Sequence, residues 1–167
     1  GVFTHQKSSS LQDALFNNAY GIPPGTLGAD LMKDSIKHLS ETYPHIVQIP
    51  NEKVLKIEGS YPEFTMTTNK TSYQTSIIAI GIGSANTFAI EGLMEYVEPH
   101  QKSLPEKQRI QLKNNDHKVA DGIYVMGTLA GWRSQLAIAS GSGAAVATDI
   151  LTLWNDGIQT HAHDSIR

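Results

Sequence analysis

The chain has 167 residues, 40% of them hydrophobic, and a formal net charge of −3, which fits one domain able to bury a core without staples. Its 13 Lys and Arg are scattered, and no basic stripe follows the chain as a phosphate backbone would require, so nucleic acid is not an expected partner. The absence of cysteine excludes a disulfide framework, a CxxC redox pair and a thiolate nucleophile together.

In chain order, Gly1 to His5 reads as a short strand already under way at Val2-Phe3. A polar loop runs from Gln6 to Ser10, and Leu11 to Ala19 suits one or two helical turns. Gly21-Ile22-Pro23-Pro24-Gly25 is a turn by its proline and glycine content. Thr26 to Tyr43 predicts a helix, with Leu27, Leu31, Ile36 and Leu39 on one face and Pro44 ending it. His45 to Ile49 is a short apolar strand. Val54 to Ser76 reads as a small antiparallel meander with a tight connection at Asn69-Lys70. Ile77 to Ile82 is a continuous apolar run, the pattern of a strand covered on both faces. Asn86 to His117 is polar and interrupted by Pro99 and Pro105, with some helix expected near Ile90 to Tyr96 and a short strand at Arg109 to Leu112. Gly122 to Met126 is a second buried strand, Gly127 to Gly131 a loop, and Ser134 to Asn155 a long helix stopped by Asp156-Gly157.

This order is an α/β arrangement with a parallel sheet and an antiparallel insertion. Residues 1–157 form the expected domain and 158–167 a polar tail, where His161, His163 and Asp164 have ligand-like spacing but are read as tail. The remaining histidines show no metal-ligand pattern, and no metal is assigned. No apolar run approaches the ~20 residues needed to span a bilayer, and no charged-then-apolar signal opens the chain. A soluble cytoplasmic protein without a membrane partner is the expectation.

The informative segment is Asp121 to Trp154. A buried strand ends at Gly127, passes through a short loop and enters a helix near Ser134. A helix N-terminus offers unpaired N–H groups and partial positive charge, which suits a phosphate or a polarised carbonyl such as a flavin's pyrimidine edge. Thr128 lies at the carboxyl end of a parallel strand, where open α/β sheets bind ligands. An ordinary strand-to-helix turn is the alternative for Gly127 and Thr128. Trp132 suits either a lid over a ring or a dimer contact.

These residues resemble the C-terminal flavin motif of the thioredoxin-reductase-like group of FAD-dependent pyridine nucleotide-disulfide oxidoreductases. In that group an Ala-Gly-Asp triplet holds the FAD ribitol, and an Arg-Gln pair opens a helix whose first amides meet the flavin pyrimidine. The corresponding residues here are Met126-Gly127-Thr128 and Arg133-Ser134-Gln135-Leu136-Ala137. Gly21 to Leu31 is similar to the group's Gly-x-Pro-x-Gly segment, and Ile77 to Gly81 to its strand ending Ala-Thr-Gly. The resemblance implies a Rossmann-like FAD/NAD(P)-binding fold with a parallel sheet and a β-meander. It makes Gly81, Gly127, Thr128, Gln135, Leu136 and Ala137 the candidate cofactor contacts. No residue stands out as a catalytic acid or base.

The departures are specific. No GxGxxG turn is present; Gly81-Ile82-Gly83 has the wrong position and no third glycine at the right distance. The domain is therefore expected to be incomplete at its N-terminus, with a first strand–turn–helix unit preceding residue 1 in a longer native chain. About forty residues separate Gly81 from Gly122, too few for an NAD(P)H domain. Thr128 stands where the group has Asp, so a ribitol contact loses its charge-assisted part. One reading is an FAD-dependent oxidoreductase without redox cysteines, expected as a homodimer and reduced by a separate electron donor. The other is a non-catalytic or truncated remnant of the fold acting as a binding or assembly module. Weak or absent FAD retention is expected for this 167-residue chain.

Overall fold

The computed structural model describes residues 1–4 and 10–160. His5, Gln6 to Ser9 of the polar loop, and the tail residues His161, His163 and Asp164 lie outside the described residues. The chain forms two compact units, Gly1–Leu55 with Thr67–Thr71, and Lys56–Met66 with Ser72–Arg167.

In the first unit, β1 (Val2–Phe3) pairs in parallel with β4 (Gln48–Ile49). Parallel neighbours need a crossover, and the chain between them includes α1 (Gly28–Thr42). The Gln48 Nε2 donates to Ile36 O of that helix at 3.1 Å. β2 (Leu15–Phe16) pairs antiparallel with β3 (Thr26–Leu27) through the Pro-Pro turn. This replaces the helical turns expected over Leu11 to Ala19, and it delays α1 by two residues. Gly28 explains why. A Cβ there would lie 1.7 Å from Leu11 O, so the helix start abuts the Leu11 backbone itself, and the Gly28 amide donates to Ala14 O.

β5 (Val54–Ser60), β6 (Glu63–Thr68) and β7 (Ser72–Thr75) form one sheet in that order. The connections are too short for a parallel crossover, so neighbours run antiparallel as expected of the meander. The Asn69-Lys70 turn is built on Thr68, whose buried hydroxyl bonds the Glu52 carboxylate and accepts the Lys70 and Thr71 amides.

The second unit holds the apolar core. Among the described residues, all thirteen buried hydrophobic side chains belong to it, with Leu93, Leu112, Val125 and Leu129 wholly sequestered. β8 (Ile78–Ile80) pairs in parallel with β12 (Ile123–Val125). β9 (Val97–Pro99) and β10 (Ile110–Leu112) form an antiparallel hairpin. β11 (Lys118–Ala120) lies antiparallel on the other edge of β12. β12 is buried at all three positions, as its apolar run implies. β8 is not: Ile78 and Ile80 are buried but Ala79 is exposed, so this strand is covered on one face only. Ile90 to Tyr96 supplies one 3-10 turn, Met94–Tyr96, rather than a helix.

α2 (Leu136–Trp154) ends where Gly157, with its amide on Thr152 O, turns the chain. Only Ser142 and Val146 of its residues are buried. With a mean hydropathy of 1.5 over a membrane-length window, α2 is long and apolar enough to cross a bilayer by length and composition alone. The expectation that no segment reaches that threshold is corrected. Interspersed Ser, Thr and Gly break the apolar run while Ala, Ile and Leu keep its average high.

Gly92 and Gly83 separate two roles of glycine in this unit. Both have positive φ, +88° and +80°. A Cβ at Gly92 would lie 2.0 Å from Ile57 O, whereas at Gly83 it would meet nothing. Gly83→Ala is expected to cost about 1 kcal/mol, the left-handed penalty alone. Gly92→Ala is expected to cost at least about 3 kcal/mol, since backbone must also move. Urea denaturation of the two variants checks the difference.

Candidate functional site

Parallel register brings the candidate residues together. Val125 lies opposite Ile80, and the Met126 amide donates to Ile80 O at 2.9 Å. Gly81 therefore sits beside Met126 at the carboxyl ends of both strands. A Cβ on Gly81 would come within 3.0 Å of Met126 Cγ. The chain then reverses at Gly127, whose φ of +64° favours glycine, and makes a 3-10 turn over Gly127–Ala130. Gly131, φ +86°, ends that turn, and a Cβ there would lie 2.7 Å from the Gln111 side chain. These two glycines fold the expected loop into a compact turn.

α2 starts beside that turn: a Cβ built on Gly127 would lie 3.8 Å from Ala139 Cβ. Its N-cap, Gln135, has extended backbone and makes no side-chain cap, and no acidic residue lies in the first turn. The Ala139 amide is taken by Gln135 O, but those of Leu136, Ala137 and Ile138 have no partner among the described residues. An uncapped first turn leaves N–H donors and partial positive charge available. The half-buried Thr128 also makes no side-chain hydrogen bond among the described residues. The Gly127 amide is not free in the same way, because it donates to Ser142 Oγ at 2.8 Å.

This donor set fits the pyrimidine and ribitol part of a flavin: open amides at 136 and 137, a free hydroxyl at 128, and glycines where backbone must come close. It contains no carboxylate. Among the described residues, no group of three or more His, Asp or Glu could hold a metal ion.

No protein family and no curated protein matches the chain. Solved structures do. A ferredoxin-flavin thioredoxin reductase from Clostridium acetobutylicum matches at TM-score 0.67 and 15% identity, over 93% of this chain and 88% of that one. A thioredoxin reductase from Gloeobacter violaceus matches at TM-score 0.68 and 10% identity, over 95% and 86%. The chain has a thioredoxin-reductase-like fold. At these identities the shared property is the fold, a mixed α/β arrangement of small sheets, some of them parallel.

Within this fold the six candidate residues cluster at the strand ends and the adjacent first turn of α2. Gln135 is exposed, and its backbone is engaged within the chain: its amide donates to Arg133 O and its carbonyl accepts the Ala139 amide. Arg133 is exposed and has no ion pair among the described residues. Trp132, 41% exposed, has the Lys102 ammonium 4.3 Å above its ring, a cation–π contact that holds the indole in place. Two residues of the site carried no legible signal. Ser142 sat inside a run of small residues, and His117 was one of seven scattered histidines.

Tyr124, on the site strand β12, has its phenol pKa raised, chiefly by burial. A raised folded-state value contributes stability fully present below the ordinary phenol range near 10 and lost as pH rises through the folded value. Denaturation between pH 8 and 11 should show this alkaline loss, and Tyr124→Phe should flatten it.

Proposed function

We propose that the carboxyl ends of β8 and β12, with the start of α2, hold the flavin of an FAD-dependent oxidoreductase that has no dithiol of its own. The uncapped N-terminus of α2, beside a turn with a free hydroxyl, carries this reading. Two of the solved structures that share its fold, both from Clostridium acetobutylicum, are named ferredoxin-flavin thioredoxin reductases.

In this reading the Leu136 and Ala137 amides donate to the pyrimidine carbonyls, where negative charge grows on reduction. Thr128 donates to or accepts from the ribitol. Gly81 and Gly127 let backbone approach the ring system, and Gln135 sets the helix start. The flavin, when bound, supplies the electron transfer, and the protein supplies position and electrostatics. Electrons come from a separate donor, and the chain acts as a homodimer in the cytoplasm.

A second reading, a flavin-fold remnant serving as a binding or assembly module, draws on the same site. Thr128 offers no carboxylate, and the Gly127 amide is already taken by Ser142.

Absorbance spectra of the purified chain, before and after addition of FAD and exhaustive dialysis, separate the two. Weak retention is expected for the wild type. Thr128→Asp restores a charged acceptor and should tighten FAD binding about fivefold, the equivalent of ~1 kcal/mol. Absence of any flavin band in both proteins after reconstitution would favour the remnant.

A further inference from the structure

His117 and Ser142 lie 25 residues apart in sequence and meet beneath the Gly127 turn. Both are buried, at 5% and 6% exposure. Ser142 Oγ accepts the Gly127 amide at 2.8 Å. His117 Nδ1 lies 3.0 Å from Val125 O and 3.5 Å from Ser142 Oγ. A carbonyl oxygen only accepts, so Nδ1 must carry the proton, and this fixes the tautomer. The Nδ1–H then faces two oxygens, the strand-end carbonyl and the hydroxyl that receives the Gly127 amide.

His117 Nε2 has no hydrogen-bond partner among the described residues. Yet no buried side-chain nitrogen or oxygen there lacks one. Nε2 is therefore not fully enclosed, and the Trp132 ring lies 6.1 Å from the imidazole, centroid to centroid. The backbone at His117 is held in an uncommon conformation. Asp116 and His117 both have left-handed φ, +46° and +72°, a costly conformation for non-glycine residues that persists where surroundings enforce it. Asn114 Oδ1 accepts the His117 amide at 3.1 Å and so helps enforce it.

We propose that His117 and Ser142 are positioning residues. Their imidazole–hydroxyl–amide latch fixes the turn that carries Thr128 and leaves the Thr128 hydroxyl to a ligand. The ligand named here rests on the flavin reading; the latch itself is legible without any ligand.

The test uses the full chain, labelled with 15N, without and then with added FAD. The histidine 15N shifts should show Nδ1 protonated and Nε2 bare at alkaline pH. Ser142→Ala should speed hydrogen exchange of the Gly127 amide at least tenfold, and Ser142→Thr should not. His117→Phe should speed it by a similar factor. His117→Asn, whose amide N–H reproduces the Nδ1 donor, should restore protection, and it remains informative if the Phe variant does not fold. A protonated Nε2 with bare Nδ1 would overturn the proposal, as would unchanged Gly127 exchange in Ser142→Ala. If FAD binds the wild type, Ser142→Ala should weaken that binding at least fivefold and Ser142→Thr should retain it; equal binding by Ser142→Ala would overturn the positioning role. If FAD fails to bind the wild type while tautomer and exchange follow expectation, the flavin reading alone is lost.

Discussion

The parallel pairing of β8 with β12 is the constraint on which the candidate site depends. Register sets Val125 against Ile80, and the next residues on each strand are then Gly81 and Met126. From that point the chain must reverse at once to start α2 over the same strand end. Gly127, Gly131 and the 3-10 turn between them make the reversal. A slip of one residue would turn β12's buried side chains to the opposite face and move Gly127 away from Ser142. Burial at every position of β12 makes that slip expensive, since Ile123, Tyr124 and Val125 are all sequestered.

The two units are held by different means. The second has the apolar core, and its helix α2 contributes Val146 to it at 1% exposure. The first has no buried hydrophobic side chain among its described residues. It relies on close backbone packing at Gly28, the Thr68–Glu52 hydrogen bond, and the Asn69 side chain, which accepts the Lys53 amide. Hydrogen bonds contribute less net stability than burial of comparable groups, so the first unit should open at lower free energy than the second. The candidate site lies wholly in the better-packed unit, which suits a site that must hold its donors still.

Much of this architecture is legible in the sequence where burial and period agree. The apolar runs at 77–82 and 122–126 mark the two parallel strands, and the Ala-rich stretch marks α2. The hairpin of β9 and β10 is less legible because its strands are only three residues long, β10 buries the polar Gln111, and Pro99 reads as a breaker. Leu11 to Ala19 misleads because its outcome is set by Gly28, beyond the local window. The candidate cofactor residues are legible because strand, turn and helix start are contiguous in sequence. The latch is not. Its histidine and serine look ordinary until folding brings β11's approach and the second turn of α2 under the same loop. The open amides of α2 are likewise a property of what Gln135 does not do, which no residue pattern announces.

The most direct test of the account is a titration of the 15N-labelled chain with FAD, followed by amide chemical shifts. The largest shifts should fall on Gly81, Gly127, Thr128, Leu136 and Ala137. Shifts confined to other residues, or no shifts at flavin concentrations approaching its solubility, would contradict the placement of a flavin at these strand ends.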